Sequence, residues 1–233
     1  MPGYYYGIDY SYIVFVLPAL IFALWAQFNV KTTFAKYSRV SSDKGMTGCD
    51  AARLILDRNG LGYVRIEQVA GDLTDHYDPK ANVIRLSQSV YGAQTAAAVG
   101  VAAHEAGHAV QYAQNYFPVK VRSAIIPVTN LASTVAFPIF LLGIVFSFST
   151  LAYIGVILFG ASVVFQLVTL PVEFNASSRA VKALADSGMS EDGVKAARKV
   201  LTAAALTYVA ALASAIGNFL RLLSIAKRND RNR

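Results

Sequence analysis

Residues 95–114 read TAAAVGVAAHEAGHAVQYAQ, and the fold turns on whether this stretch crosses a membrane. The run from Ala96 to Ala103 is small and apolar, as a membrane segment would be. His104, Glu105 and His108 interrupt it well short of the roughly 20 residues a full span needs. A buried helix over about 95–114 is therefore expected. With 3.6 residues per turn, positions i and i+4 share a face, so His104 and His108 can reach one ion. Zinc accepts nitrogen at roughly 2.0–2.1 Å, which this pairing can bridge without strain. Glu105 lies about 100° round the helix from His104, beside such an ion rather than on it. From there it can take a proton from an attacking water and pass it to a leaving amine. Gly107 costs on the order of 1 kcal/mol of helix propensity, and close packing or substrate access is the expected compensation. The chain has only three histidines, and two fall at this spacing. Two histidines and a glutamate on an apolar helix are costly to bury without a partner. A metal site is favoured over satisfied core histidines.

Outward from this helix, the apolar residues are gathered in blocks. The 233 residues are 55% hydrophobic and 15% charged, with a mean hydropathy of +0.43. A soluble domain of this length would be more polar. Ser11 to Phe28, Ala124 to Phe148 and Thr150 to Leu170 are long enough to span, and Leu201 to Leu220 is a weaker, alanine-rich candidate. Met1 to Tyr10 carries no positive charge and no cleavage site follows, so the first block reads as a retained anchor rather than a signal peptide. Trp25 and the early tyrosines are expected near the interfaces. The second and third blocks, joined by Ser-Phe-Ser-Thr, predict a helical hairpin, with Pro127 and Pro138 kinking its first arm. The fold class is thus a mainly α membrane protein with three or four transmembrane helices and a cytoplasmic α+β domain. The expected segments are an anchor (1–29), a polar domain (30–122), the hairpin (123–171), a cytoplasmic helix (172–200) and an apolar helix with a basic tail (201–233).

Inside the polar domain, Thr47 is placed to cap a helix through Ala51, Leu54 and Ile55 that stops near Asn59-Gly60. Val64 to Val69 and Val83 to Leu86 read as short strands around a turn-rich loop, Gly71 to Lys80. The second of these strands is either an edge offered to an extended peptide or plain sheet core.

The formal charge is +7, but no basic stripe interleaves with stacking aromatics, so nucleic acid is not an expected partner. Lys31, Lys36, Arg39, Lys120, Arg122, Arg179 and Lys182 flank the blocks, while the N-terminus and hairpin turn carry no Lys or Arg. This places the polar domain, and the active site, on the cytoplasmic face of a multi-pass protein of the cell membrane. The tail residues Lys227, Arg228, Arg231 and Arg233 conflict with that if the last block crosses fully. A turn back at Gly217-Asn218, or a helix lying along the protein, removes the conflict. The single cysteine, Cys49, excludes an internal disulfide and a multi-cysteine zinc knuckle.

A catalytic zinc site has three protein ligands and an open position. The residues after His108 are Ala109-Val110-Gln111-Tyr112-Ala113-Gln114, which excludes the metzincin pattern. Only Glu173 and Glu191 follow as glutamates. Glu191 looks like the start of a surface helix. Glu173 emerges directly from an apolar block, either as a ligand or as an interfacial glutamate.

His-Glu-Ala-Gly-His, the hydrophobic hairpin and then Leu170-Pro171-Val172-Glu173-Phe174-Asn175-Ala176-Ser177 resemble the membrane-bound neutral zinc metallopeptidases (YugP-like). Gly71-Asp72-Leu73-Thr74-Asp75-His76-Tyr77-Asp78-Pro79 shares the likeness, which covers nearly the whole chain. More distantly the chain is similar to HtpX-type membrane peptidases, whose third ligand lies in a Glu-Phe-x-Ala-Asp element. The resemblance implies a zincin-like domain, one catalytic Zn2+ on His104, His108 and Glu173, and Glu105 as general base. Ser177 stands where the HtpX-type pattern has an aspartate that steadies a ligand histidine, a task a serine performs only weakly.

His76, between Asp75 and Tyr77, is either an oxyanion donor or an ordinary loop residue. Arg179 is either a second such donor or a membrane-flanking charge. The function expected is endopeptidase cleavage of membrane-associated proteins or peptides, with the bilayer, and either further copies of the chain or a regulatory membrane protein, as partners. The alternative is a non-catalytic membrane protein stabilised by zinc. A transporter finds thin support, since the hairpin offers only Asn130, Gln166 and hydroxyls.

Overall fold

In the computed structural model, residues 10–42 and 45–231 are described; the early tyrosines and Arg233 lie outside them. Short helical turns lead from the first apolar block into α1 (Leu17–Tyr37). Then follow α2 (Gly48–Arg58), β1 (Arg65–Val69), β2 (His76–Asp78), β3 (Val83–Ser87), α3 (Gln88–Tyr91) and α4 (Ala96–Ala113). Three long helices complete the chain: α5 (Phe117–Val145), α6 (Ser149–Asp186) and α7 (Glu191–Arg231). Four helices are long and apolar enough to cross a membrane: Tyr12–Tyr37, Phe117–Val145, Ser149–Asp186 and Glu191–Arg231.

The chain packs as two compact units. One comprises the residues through Trp25, Ala124–Leu167 and those from Val209 on. Here large apolar side chains face outward: Leu24 is 63% exposed, Leu131 68% and Ile157 73%. In water such a surface would be an aggregation liability; in a bilayer it is the solvated one. Phe140, Ala152, Val156, Leu222 and Ala226 form a small buried cluster. A Cβ at Gly143 or Gly155 would strike the facing backbone of the hairpin, so these glycines let α5 and α6 approach closely. The hairpin turns through Ser147, whose φ is +52°. α7 does not turn back at Gly217-Asn218. It runs through, and Gly217 instead sits against the Phe15 carbonyl, where a side chain has no room.

The other unit, Ala26–Ser123 with Val168–Tyr208, has an ordinary core. Thr47 and Asp50 form a capping box at the start of α2, and the helix ends at Asn59 before Gly60 in the left-handed region (φ +71°). Ile55, Leu56, Ile84, Leu86, Val99, Ala103 and Leu184 bury together. The sheet order is β1-β3-β2, with β1 parallel and β2 antiparallel to β3. β3 is therefore central and offers no free edge, with a burial pattern of sheet core. β2 pairs only three residues, too few for an alternation to show through the turn signals of 71–80.

Glu173 is not on a separate helix after the hairpin. α6 continues without a break from the apolar block through Pro171 to Asp186, so its last turns belong to the second unit.

Candidate metal centre

Thr95 caps α4 by accepting a hydrogen bond from the Ala98 N–H, and the helix then carries His104, Glu105 and His108 past α6. A Cβ on Gly107 would lie 2.7 Å from the Ala176 carbonyl oxygen. Close packing thus accounts for this glycine: only a bare Cα lets the backbone of α6 come near enough for Glu173 to face the histidines.

The structure brings His104, His108 and Glu173 together, with one ligand atom of each within 4.8 Å of the others. Glu173 Oε2 lies 3.3 Å from His104 Nε2 and 3.5 Å from His108 Nε2. The two rings stand nearly perpendicular, at 84°, with centroids 4.6 Å apart. A tetrahedral ion with bonds of roughly 2.0–2.1 Å holds its ligand atoms about 3.3–3.4 Å apart, so the residues fit zinc.

The surrounding bonds sharpen that fit. Gln111, fully buried, donates from Nε2 to the Val172 carbonyl and to Asn175 Oδ1. Its Oε1 therefore faces His108 Nδ1 at 3.0 Å, and that nitrogen must be the donor. Ser177 Oγ lies 3.1 Å from His104 Nδ1; when His104 donates there, both Nε2 atoms present lone pairs toward Glu173. Glu173 is only 2% exposed, and its Oε2 is buried without a hydrogen-bond partner among the described residues. Its Oε1 faces Arg122 Nη1 at 3.4 Å. Converging lone pairs around an orphaned buried carboxylate oxygen call for a cation. Burial works against charge on His108, but the facing Glu173 carboxylate and the Glu105 charge raise its pKa above the ordinary value.

Beside this cluster is a cleft lined by His104, Glu105, Glu173, Ser177, Asp75 and Tyr208, with apolar residues of α1, α4 and α7. Glu105 is 8% exposed. The Tyr208 hydroxyl interacts with the Glu173 carboxylate and lies within electrostatic reach of Glu105. Asp75 accepts from the Ser87 N–H at 2.8 Å and from its hydroxyl at 3.0 and 3.1 Å. Burial nevertheless holds the Asp75 pKa above the usual aspartate value, and the Glu105 charge adds to this.

His76 and Arg179 do not line the cleft. His76 is exposed on β2, its Nδ1 2.8 Å from the Thr74 carbonyl. Arg179 donates to Asn175 Oδ1 (2.7 Å) and Gln114 Oε1 (2.6 Å) and lies over Tyr116. It closes a chain of bonds running from His108 through Gln111 and Asn175. Sequence reasoning passed over Gln111, Asn175, Arg122, Tyr208 and Asp75. Gln111 carried a signal, since a polar side chain three residues after His108 returns to the same helix face.

Residues 12–227 match the protein family described as "Putative neutral zinc metallopeptidase". The chain belongs to this family. The chain is also 48% identical over 218 residues to "Putative membrane protease YugP" of Bacillus subtilis (strain 168), covering 92% of this chain and 96% of that protein. No solved structure matches it.

Proposed function

We propose that this protein is an integral membrane zinc endopeptidase that cuts membrane-associated proteins or peptides, through a zincin-like domain facing the cytoplasm. The observation that carries the reading is the convergence of His104, His108 and Glu173 at zinc spacing beside a cleft that holds Glu105. In this reading those three residues hold one ion, and zinc there supplies a Lewis acid for the scissile carbonyl and for the attacking water.

The remaining chemistry belongs to the chain. Glu105, next to His104 and almost closed off from bulk water, removes a proton from the attacking water and delivers it to the leaving nitrogen, with no covalent intermediate. Tyr208, whose hydroxyl lies in the same cleft, turns its single O–H from Glu173 to the oxyanion as it develops. Arg122 faces Glu173 Oε1, which leaves Oε2 on the side of the two imidazoles, where it would hold the ion with them.

Glu173 follows the apolar block by three residues, which supports a site near the bilayer surface and, as substrates, membrane proteins, their juxtamembrane segments or released peptides. The placement of Lys and Arg around the apolar blocks supports the cytoplasmic side. The non-catalytic alternative, zinc as a tie alone, leaves Glu105 and the cleft without a role.

The deciding experiment is metal analysis and proteolysis of casein and a membrane substrate on purified parent and Glu105→Gln protein. Equal zinc content is expected, with cleavage by the variant lower by about 10²–10⁴-fold. Cleavage at the parental rate would overturn the mechanism.

A further inference from the structure

We infer that the cleft beside Glu105 is a subsite for one large apolar substrate side chain, leucine- or phenylalanine-like, flanking the scissile bond. This deepens the peptidase reading above and rests on it. The cavity measures about 230 Å³, below the roughly 300–1,000 Å³ that hold a drug-sized ligand, so it suits a single side chain. Most of its exposed wall is apolar, with Gln27, Thr207, Ser177 and the Tyr208 hydroxyl as neutral polar groups. Val101 stands one turn before Glu105 on α4; Val200, Leu201 and Ala204 cover a turn of α7; and Phe34 comes from α1. Ala204 and its neighbour Ala205 leave space where larger residues would fill it.

The charges in the cleft argue the same way. Its ionisable acids are Asp75, Glu105 and Glu173, and no Lys or Arg lines it among the described residues. An acidic substrate side chain would meet the like charges of Asp75 and Glu105, its one attraction being toward the ion at the end of the cleft, where the scissile carbonyl belongs. A basic one would need an uncommitted carboxylate. Asp75 gives both oxygens to Ser87, Glu173 faces Arg122 and the two imidazoles, and Glu105 is the base. With no uncommitted charge and few neutral polar groups, the cleft offers mainly apolar burial. Full burial of a leucine or phenylalanine side chain corresponds to a preference on the order of 10–100-fold.

The test reads binding rather than turnover. Zinc-loaded Glu105→Gln protein in detergent is titrated with fluorescent peptides that are identical except for Leu, Phe, Lys or Asp at the positions flanking one central bond. Leu and Phe peptides are expected to bind at least about tenfold tighter than Lys or Asp peptides. Ala204→Phe should abolish that preference and the milder Ala204→Leu should shift it from Phe toward Leu, with zinc content reporting that each variant is folded. Lys or Asp peptides binding as tightly, no peptide binding at all, or a preference that survives both substitutions would each overturn the inference. A parent that binds apolar peptides but cleaves none would instead fault the catalytic reading and leave the subsite standing.

Discussion

The two imidazoles of the cluster are held in opposite ways. His108 is backed by Gln111, a fully buried amide that also bonds the Val172 carbonyl and Asn175. It thereby ties α4 to the part of α6 that carries Glu173. His104 is backed by the single hydroxyl of Ser177, and both of these residues line the cleft, whereas His108 and Gln111 do not. One side of the site is thus a closed network reaching Arg179, and the other is a single bond facing the space where a substrate would lie. Neither imidazole is backed by a carboxylate. The difference teaches that rigidity is concentrated on the buried side, while the open side is left with small groups that do not crowd the cleft.

Gln111→Ala should expose that asymmetry most strongly. It frees His108 to rotate and removes the bonds by which α4 holds the Val172 carbonyl and Asn175, the latter keeping Arg179 as its donor. Zinc affinity should fall by about 10–100-fold, and the two lost interhelical bonds should together cost about 1–3 kcal/mol, readable by chelator competition and thermal unfolding respectively. Next comes Gly107→Ala, which pushes a methyl against the Ala176 carbonyl and forces α4 and α6 apart. A loss of about 1–3 kcal/mol from overpacking is expected, with weaker zinc binding by both histidines at once. Ser177→Ala should be milder than Gln111→Ala, lowering zinc affinity less than about tenfold. If the serine change costs as much as the glutamine change, the two sides are equivalent and the comparison fails. Ser177→Asp sharpens it in the other direction, since a carboxylate behind His104 should raise zinc affinity.

These contacts mark where the sequence was legible. The pairing of His104 with His108 follows from helical spacing alone, because a period of 3.6 constrains near neighbours. The cap at Thr47 and the long apolar helices were readable for the same reason: each depends on residues close in the chain. The approach of Glu173 was one of two open readings, since nothing local distinguishes an interfacial glutamate from one aimed at a distant histidine pair. β2 was hidden because three residues beside Asp75 and Pro79 carry more turn signal than strand signal. Tyr208 gave no sign at all. It stands in an alanine-rich helix, and only tertiary packing brings it to Glu173.

Asp75, the carboxylate on the open side outside the trio and Glu105, gives the smallest and most specific test. Its folded pKa lies above the ordinary aspartate value because burial outweighs the Ser87 hydrogen bonds, with the Glu105 charge adding to the rise. A group raised in this way contributes stability that is fully present below its unfolded pKa, about 3.9. That contribution is lost as the pH climbs through the folded value, because the unfolded chain gives up its proton first. Asp75→Asn removes this dependence. Going from pH 7 toward pH 4, the parent should therefore gain melting temperature relative to the variant, at about 2–4 °C per kcal/mol for a chain of this size. Thermal unfolding of both proteins in the same detergent across that range measures the gap. A gap that stays constant, or that moves against the parent as the pH falls, would mean that the Ser87 bonds outweigh burial and that the open side carries no strained charge.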